Sequence, residues 1–252
     1  MFDSLLQEAL GLLLSWRFAI AALATVIAGL MRGYSGFGTA ILLAPVYSTL
    51  WSPRVGVPVV LLMELFVSAY LLPRSFGEAN KKLILPICGA AVLMLPLGSI
   101  ILLQADGGTL RRAIGIFVLL FGLLMMSGWR YHGTRPLPLN LAVGVTAGLL
   151  KGATGMSGPP VILYLLAGKE EARQHRANLI LFFGVLGVAS IVPPLWGGLI
   201  GVSTLVMTAV MLPVMLFSVP MGARLFHVIP QRWYRRFALI LLIATGGFAL
   251  LG

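Results

Sequence analysis

Cysteine and charge are both scarce in this chain, and each scarcity excludes a class of protein. Cys88 is the single cysteine among 252 residues, so one chain can form neither a disulfide framework nor a cysteine-ligated metal site. Charged residues make up 10% of the sequence, whereas a soluble domain is usually about 25% charged. With 59% hydrophobic residues and a mean hydropathy of +1.01, most of the surface is expected to face lipid.

The sequence also lacks the motifs of common catalytic sites. Its three histidines, His132, His175 and His227, lie far apart in basic loops, which is not a metal-binding constellation. No HExxH motif, nucleophile elbow or phosphate-binding loop is present, and GYSGFG at 33–38 lacks the GK[ST] that completes a phosphate loop. We therefore expect no enzymatic activity and no bound metal.

Acidic residues are few, and the formal net charge is +11. Such a charge can indicate a nucleic-acid partner, but here the basic residues stand singly or in pairs between apolar runs and form no basic face. This pattern is typical of loops that set membrane topology against anionic lipid. We therefore expect the bilayer, and no nucleic acid, as the surrounding partner.

Apolar runs long enough to cross a bilayer, about 20 residues each, alternate with short polar segments along the whole chain. The runs lie near 16–50, 55–73, 83–103, 110–129, 137–167, 177–193, 199–223 and 237–251. The first and fifth runs are too long for one simple crossing. Residues 1–15 carry acids where a signal peptide carries a basic region, so we interpret them as an interfacial lead-in to the first membrane segment.

The chain repeats itself. A shift of 119 residues places AGLMRGYSGFG (28–38) on AGLLKGATGMS (147–157) with five identities, and Arg32 then matches Lys151. A shift of 124 matches later positions: Pro96 with Pro220, Gly98 with Gly222, Arg111 with Arg235 and Arg112 with Arg236. Internal duplication is common in secondary transporters, whose site lies at the repeat interface. We expect an all-α integral membrane protein with membrane repeats at 16–130 and 137–252 in one integrated domain.

Charge distribution favours inverted repeats over parallel ones. If the first segment of each repeat is broken or re-entrant and three transmembrane helices follow, twelve loop cations lie on one side and four on the other. If both long segments cross instead, the better orientation gives ten against six. The positive-inside rule therefore predicts two inverted-topology repeats with both termini outside.

Glycine clusters interrupt the first helix of each repeat, and we predict an anion site where the two breaks meet. Glycine and proline break helices, and a broken backbone at membrane depth must be buried in protein or line a wet cavity. Half-helix N-termini then attract an anion. The predicted substrate-binding residues are Arg32, Gly33, Ser35, Gly36, Gly38, Thr39, Lys151, Gly152, Thr154, Gly155, Ser157 and Gly158.

Each part of that site has an alternative interpretation. Arg32 and Lys151 could extend to an interface as anchors, and the hydroxyls could serve helix packing. Glu64 stands alone in an apolar run, where it could carry a coupling proton or pair with a buried Arg for structure. Its repeat equivalent is Phe183, so symmetry does not support Glu64 as a substrate ligand.

These breaks also carry a family resemblance. GLMRGYSGFG and GLLKGATGMSGPP, with Pro45 and the segment SPRVGVPVVLLMELF after the first break, resemble the TauE/SafE sulfite exporter family over nearly the whole chain. The resemblance implies a multi-pass transporter of the bacterial inner membrane for sulfite, sulfonates and related sulfur compounds, without a cofactor. Ser157 and Gly158 replace Gly38 and Thr39 in the second half, so the two breaks need not contribute equally.

Several functions remain open at this point. The residues themselves predict a duplicated transporter of a small anion, and only the resemblance adds sulfur. A transporter of small carboxylates or of another inorganic anion is the nearest alternative. An intramembrane enzyme or an assembly scaffold fits less well, because only Glu64 is a candidate catalytic group and a scaffold needs no matched cations at two breaks. The sequence also leaves open a homodimer, the coupling ion and the direction of transport.

Overall fold

The structure is a computed structural model that describes residues 15–127, 131, 133–166, 170–226, 228, 240, 243, 244 and 246–249. The interfacial lead-in proposed for 1–15, apart from Ser15, lies outside the described residues. The same is true of most of the run predicted at 237–251, and of His132 and His227.

The described part of the chain folds into helices, and all of its regular secondary structure is helical. In chain order they are α1 Trp16–Ser35, α2 Thr39–Leu50, α3 Pro53–Ser75, α4 Lys81–Gln104, α5 Gly107–Met126, α6 Leu137–Thr154, α7 Gly158–Leu166, α8 Ala172–Ala189, α9 Val192–Trp196 and α10 Val202–Leu225. Six stretches in this part are long and apolar enough to cross a membrane: α1, α3, α4, α5, α8 continued through α9, and α10. The predicted all-α, multi-pass class is therefore confirmed.

Side-chain caps fix where some of these helices begin. The Asn80 side chain accepts a hydrogen bond from Leu83 N–H at the start of α4, and Asp106 accepts one from Thr109 N–H, at 2.9 Å, at the start of α5. Such caps satisfy backbone donors that have no partner within the helix. The Thr109 bonds hold the pKa of the Asp106 carboxyl below its usual range.

Both glycine clusters break their helices, as predicted. α1 ends at Ser35, and Gly36 turns the chain with a φ of 81° before α2 begins at Thr39. In the second half α6 ends at Thr154, and Gly155 adopts a φ of 76° before α7 begins at Gly158. These left-handed conformations cost glycine no Cβ clash. The two breaks therefore begin in the same way, with a left-handed glycine directly after the helix.

The first helix of each half packs against the third long helix of the other half. A Cβ atom on Gly33 of α1 would lie 2.0 Å from Val219 O of α10, and one on Gly152 of α6 would lie 2.3 Å from Leu95 O of α4. Gly33 and Gly152 are repeat equivalents, as are Val219 and Leu95. Small residues of this kind allow close approach of membrane helices. Two equivalent helix pairs, α1 with α10 and α6 with α4, therefore form contacts between the halves.

Helices α3 and α8 form an antiparallel pair between the halves. Asn80 N–H, just after α3, donates to Asn178 Oδ1 near the start of α8 at 2.7 Å. Further along, a Cβ atom on Gly184 would lie 3.1 Å from Leu72, and the Ser68 hydroxyl donates to Phe183 O at 3.4 Å. Residues earlier in α3 contact residues later in α8, so the two helices run antiparallel. This pair brings Glu64 and Phe183 toward the two helix breaks.

Candidate functional site

Three charged side chains are buried where the helix breaks meet the α3 and α8 pair. Arg32, in the last turn of α1, is 0% exposed, and Lys151, in the last turn of α6, is 1% exposed. Glu64 in α3 is 1% exposed. An anchor that extends to an interface keeps its charged end in water, whereas both cations here are enclosed by protein. We call Arg32, Glu64 and Lys151 the charged cluster.

Glu64 joins the two cations across the halves. The Lys151 ammonium donates to Glu64 Oε2 in a buried ion pair, and Arg32 Nη1 lies 4.0 Å from Glu64 Oε1. Removing one partner of a buried pair leaves an uncompensated charge, which costs about 3–5 kcal/mol. Glu64 therefore forms a hydrogen-bonded ion pair with Lys151 and lies at the outer distance limit of an ion pair with Arg32.

The Arg32 guanidinium is held by other groups. Its Nη1 donates to Gly36 O at 2.7 Å, and its Nη2 donates to Ser68 Oγ at 2.9 Å. Its Cζ lies 4.7 Å from the centroid of the Phe183 ring, within the range of a cation–π contact. Within the described part of the chain, Arg32 Nε is buried and has no hydrogen-bond partner. One donor of this fixed guanidinium is thus available to a ligand.

The internal repeat relates the two cation contacts. Arg32 is equivalent to Lys151, and Glu64 is equivalent to Phe183, at the same shift of 119 residues. The Lys151–Glu64 ion pair and the Arg32–Phe183 contact are therefore the same contact seen from opposite halves. The geometry is duplicated, while the chemistry is a carboxylate in one copy and an aromatic ring in the other.

The four predicted hydroxyls fall into two groups. Ser35 Oγ donates to Met31 O at 2.8 Å, and Thr154 Oγ1 donates to Leu150 O at 2.8 Å, so both bond to a carbonyl of their own helix. Both also bond to the backbone of the break that follows, at Phe37 O and Met156 N–H. Thr39 and Ser157 are each 0% exposed, and neither hydroxyl has a hydrogen-bond partner among the described residues. Buried hydroxyls are normally hydrogen-bonded, so these two are the stronger candidates for ligand donors.

The predicted glycines have separate structural roles. Gly36, Gly38 and Gly155 turn the chain with positive φ, and Gly33 and Gly152 allow the close helix packing described above. Gly158 opens α7, and a Cβ atom there would lie 2.9 Å from Ile41 Cδ1 of α2 and 3.3 Å from Phe183 Cζ. The start of α7 therefore lies against the first turn of α2 and beside the ring that Arg32 covers.

Three residues around the cluster were not identified from the sequence. Ser68 and Phe183 contact Arg32 as described, and Arg176 of α8 donates to Gly33 O from both Nε, at 3.2 Å, and Nη2, at 2.8 Å. The internal repeat, which matches Phe183 with Glu64, indicated the position of the ring but not its contact with Arg32. No sequence pattern pointed to Arg176, because its hydrogen-bond partner Gly33 is 143 positions away.

One end of the molecule carries ion pairs between loops and helix ends. Glu78, after α3, accepts hydrogen bonds from Arg173 of α8, with Nε to Oε2 at 2.9 Å. These bonds hold the pKa of the Glu78 carboxyl below its usual range. Arg135 pairs with Glu170 nearby. A surface cavity of about 410 Å³ lies here, lined by Glu78, Glu170, Glu171, Arg173 and Gln174.

Comparison with known proteins covers almost the whole chain. Residues 21–249 match the family described as "Sulfite exporter TauE/SafE". The chain is also similar to the "Probable sulfite/organosulfonate exporter TauE" of Cupriavidus necator, with 28% identity over 232 residues. That alignment covers 86% of this chain and 87% of the relative. No solved structure matches the chain.

Proposed function

Because the chain belongs to the sulfite exporter TauE/SafE family, we propose that it is a secondary transporter that exports sulfite or small organosulfonates across the bacterial inner membrane. Membership makes it a multi-pass membrane transporter and not an enzyme. The sulfur cargo is proposed from the relative, which is named as a probable sulfite and organosulfonate exporter. The observation that carries the proposal for this chain is the buried charged cluster between two broken helices.

The proposed substrate site lies between the starts of α2 and α7. A cation buried at membrane depth is expensive and by default functional. Arg32 Nε, Thr39 Oγ1 and Ser157 Oγ are buried donors without partners in the described chain. Backbone N–H groups at the starts of two half-helices add partial positive charge. These donors come from both halves, as expected for a site at a repeat interface.

We further propose that the halves are inverted-topology repeats that rock about this site. Two observations support the proposal: the equivalent helices α3 and α8 run antiparallel, and the pairs α1 with α10 and α6 with α4 make equivalent contacts. Two copies related in this way interchange on rotation about a pseudo-two-fold axis in the membrane plane. Alternating access in secondary transporters commonly uses this arrangement.

Glu64 is the proposed group for proton coupling. Protonation of its carboxyl removes the counter-ion of Lys151, while Arg32 and the more distant Arg176 keep their charges. Anion binding and proton binding at the cluster are then linked. Glu64→Gln should flatten the pH dependence of transport, and a pH profile identical to wild type would exclude this role.

Flux measurements in proteoliposomes test the transport proposal. Labelled sulfite, taurine, sulfoacetate and thiosulfate are offered to the purified wild-type protein; at least one of them should exchange, and Arg32→Ala should abolish most of that flux. Acetate and phosphate serve as comparison anions of other chemistry. Flux of acetate alone would favour a carboxylate transporter, and absence of any anion flux through folded protein would overturn the proposal.

A further inference from the structure

The charged cluster carries one net positive charge. Arg32 and Lys151 contribute two positive charges and Glu64 contributes one negative charge, and within the described residues no other charged side chain is classed as buried. Arg176, the nearest further cation on α8, is partly exposed, and its guanidinium bonds to Gly33 O. Solvent screens an exposed charge much more than a buried one. The charge that a bound anion meets is therefore set mainly by the three cluster residues.

The two cations of the cluster are not equivalent toward a ligand. Lys151 is already neutralised by its ion pair with Glu64, whereas Arg32 donates only to the neutral acceptors Gly36 O and Ser68 Oγ and stays 4.0 Å from the carboxylate. Arg32 also keeps an unused Nε donor. A guanidinium favours oxyanions with several acceptor oxygens.

We propose that this site selects singly charged sulfonate-type anions, and that Glu64 sets this selectivity by holding the cluster at one net positive charge. The proposal rests on the proposed function of the same site. A monoanion neutralises the cluster, whereas a dianion leaves one uncompensated negative charge in a buried environment. Uncompensated buried charge is strongly unfavourable. Glu64 thus acts by repelling a second negative charge, without binding the substrate itself.

The donors at the helix breaks suit an anion with several acceptor oxygens. A sulfonate group has three oxygens, and the buried donors without partners at the two helix breaks of the described chain include Arg32 Nε, Thr39 Oγ1 and Ser157 Oγ. Two of them lie near Phe183, one directly and one through its chain neighbour: Arg32 covers the ring, and Gly158, next to Ser157, lies against the ring. Gly158 also lies against Ile41 of α2, the helix that Thr39 begins. The neutral ring at the position equivalent to Glu64 adds no second carboxylate to this side of the site.

A pair of ligands with the same skeleton and different charge tests the proposal. Sulfoacetamide carries one negative charge at neutral pH, and sulfoacetate carries two. Affinities are measured by ligand-induced thermal stabilisation of the purified full chain in nanodiscs. Wild type should prefer sulfoacetamide by at least about tenfold, a ratio that corresponds to 1.4 kcal/mol. Glu64→Gln should abolish or reverse this preference.

Two further variants separate local charge from folding and from overall charge. Glu64→Gln combined with Lys151→Gln removes the whole Lys151–Glu64 pair and leaves Arg32 as the single charge of the cluster. The cluster then again carries one net positive charge, so the double variant should recover the monoanion preference. Glu78→Gln removes a surface carboxylate and changes the total charge as much as Glu64→Gln does, yet it should keep the wild-type preference.

The outcomes distinguish this proposal from the one on which it rests. If folded wild type binds neither ligand, the transport proposal fails first. If wild type binds both ligands equally, or if Glu64→Gln and the double variant have the same charge preference, Glu64 does not set selectivity although sulfonates are bound. A shift of equal size in Glu78→Gln would assign the effect to overall charge, which also overturns the proposal.

Discussion

Positions 32 and 151 are equivalent in the repeat, yet they meet different partners. Lys151 presents a compact ammonium to one carboxylate, while the planar guanidinium of Arg32 spreads its donors over Gly36 O and Ser68 Oγ and covers an aromatic ring. Arginine and lysine are not interchangeable at sites that use a planar fork. The substitution between the repeats therefore follows from the partner each residue has.

At the residue scale, Arg32 should matter more for substrate affinity than the neighbouring Ser35. Arg32→Ala removes a charge-assisted donor, which contributes roughly twice as much as a neutral one. Ser35→Ala removes a neutral hydroxyl that bonds to the backbone oxygens of Met31 and Phe37, so affinity should change little. Arg32→Lys should retain part of the affinity, because the charge survives without the fork. Binding is measured by thermal stabilisation with sulfite or taurine after monodispersity is checked.

Comparison with Lys151 completes that test. Lys151→Ala leaves Glu64 buried without its partner, so it should lower protein stability as well as affinity. Arg32→Ala leaves the Lys151 pair intact and should affect affinity more than stability. If both alanine variants bind and transport sulfite or a sulfonate with wild-type affinity, the substrate site lies elsewhere.

The sequence identified the members of the cluster better than their contacts. Arg32, Lys151 and Glu64 could be predicted because a charge inside an apolar run is rare. Their pairing could not, since the Lys151–Glu64 contact spans 87 positions and depends on how α3 packs beside α6. The alternative in which Glu64 pairs with a buried Arg is met only by the 4.0 Å approach of Arg32, since the hydrogen-bonded partner of Glu64 is Lys151. The proton-coupling role of Glu64 stays a prediction. The hydroxyls could not be separated either, because bonds to a helix carbonyl depend on the final backbone.

At the scale of helices, the packing of α4 on α6 and of α10 on α1 depends on glycine at the contact positions. Gly98 of α4 lies against α6, where a Cβ atom would be 2.1 Å from Leu149 O, and its equivalent Gly222 of α10 would place one 2.1 Å from Leu30 O of α1. Contacts this short with backbone cannot be relieved by a side-chain rotation. The helices must separate if either glycine is replaced.

Gly98→Ala should therefore destabilise the protein, whereas Gly89→Ala on the same helix should not. Overpacking typically costs about 1–3 kcal/mol. A Cβ atom on Gly89 meets nothing within 4 Å, so alanine there should be neutral or stabilising by about 0.5–1 kcal/mol through helix propensity. Thermal unfolding in one detergent compares the two variants. Equal melting temperatures would contradict the close packing of α4 on α6.

Helix boundaries were predicted unevenly, for local reasons. The breaks at 36–38 and 155–157 could be predicted because glycine clusters have a direct conformational effect. The run predicted at 177–193 divides instead: α8 ends at Ala189 and the short α9 starts at Val192, with proline in its first positions. Proline is favoured at the start of a helix and disfavoured inside one. Hydropathy alone did not reveal this boundary.

At the scale of the whole molecule, the Glu78–Arg173 pair connects the two halves at one end. The pKa of Glu78 is lowered in the folded protein, mainly by hydrogen bonds from Arg173. Its contribution to stability is therefore present above the unfolded pKa and is lost as the pH falls through the folded pKa. Wild type should melt slightly above Glu78→Gln at neutral pH, and the difference should disappear in acid and shrink in high salt. A difference that grows on acidification would contradict the pairing.

Membrane orientation follows from combining this contact with the loop charges. Ser52 and the loop that contains Ala79 lie at opposite ends of α3, whereas Ala79 and Ala172 lie at the same end, because Glu78 and Arg173 are in contact. Basic residues are concentrated in the loops on the side of Ala79 and Ala172, and such loops normally face the cytoplasm. We therefore predict that position 52 is outside and that positions 79 and 172 are both inside.

Single cysteines introduced at Ser52, Ala79 and Ala172 test this orientation. The background replaces Cys88, which is 2% exposed, so that only the new thiol can react. An impermeant maleimide applied to intact cells should label position 52 alone, and permeabilised cells should add labelling at 79 and 172. Because the neighbouring residues Glu78 and Arg173 form an ion pair, positions 79 and 172 must lie on the same side of the membrane. Labelling of both from outside would reverse the orientation. Labelling of 172 from outside with protection of 79 would instead require parallel halves and would contradict the antiparallel pairing of α3 with α8.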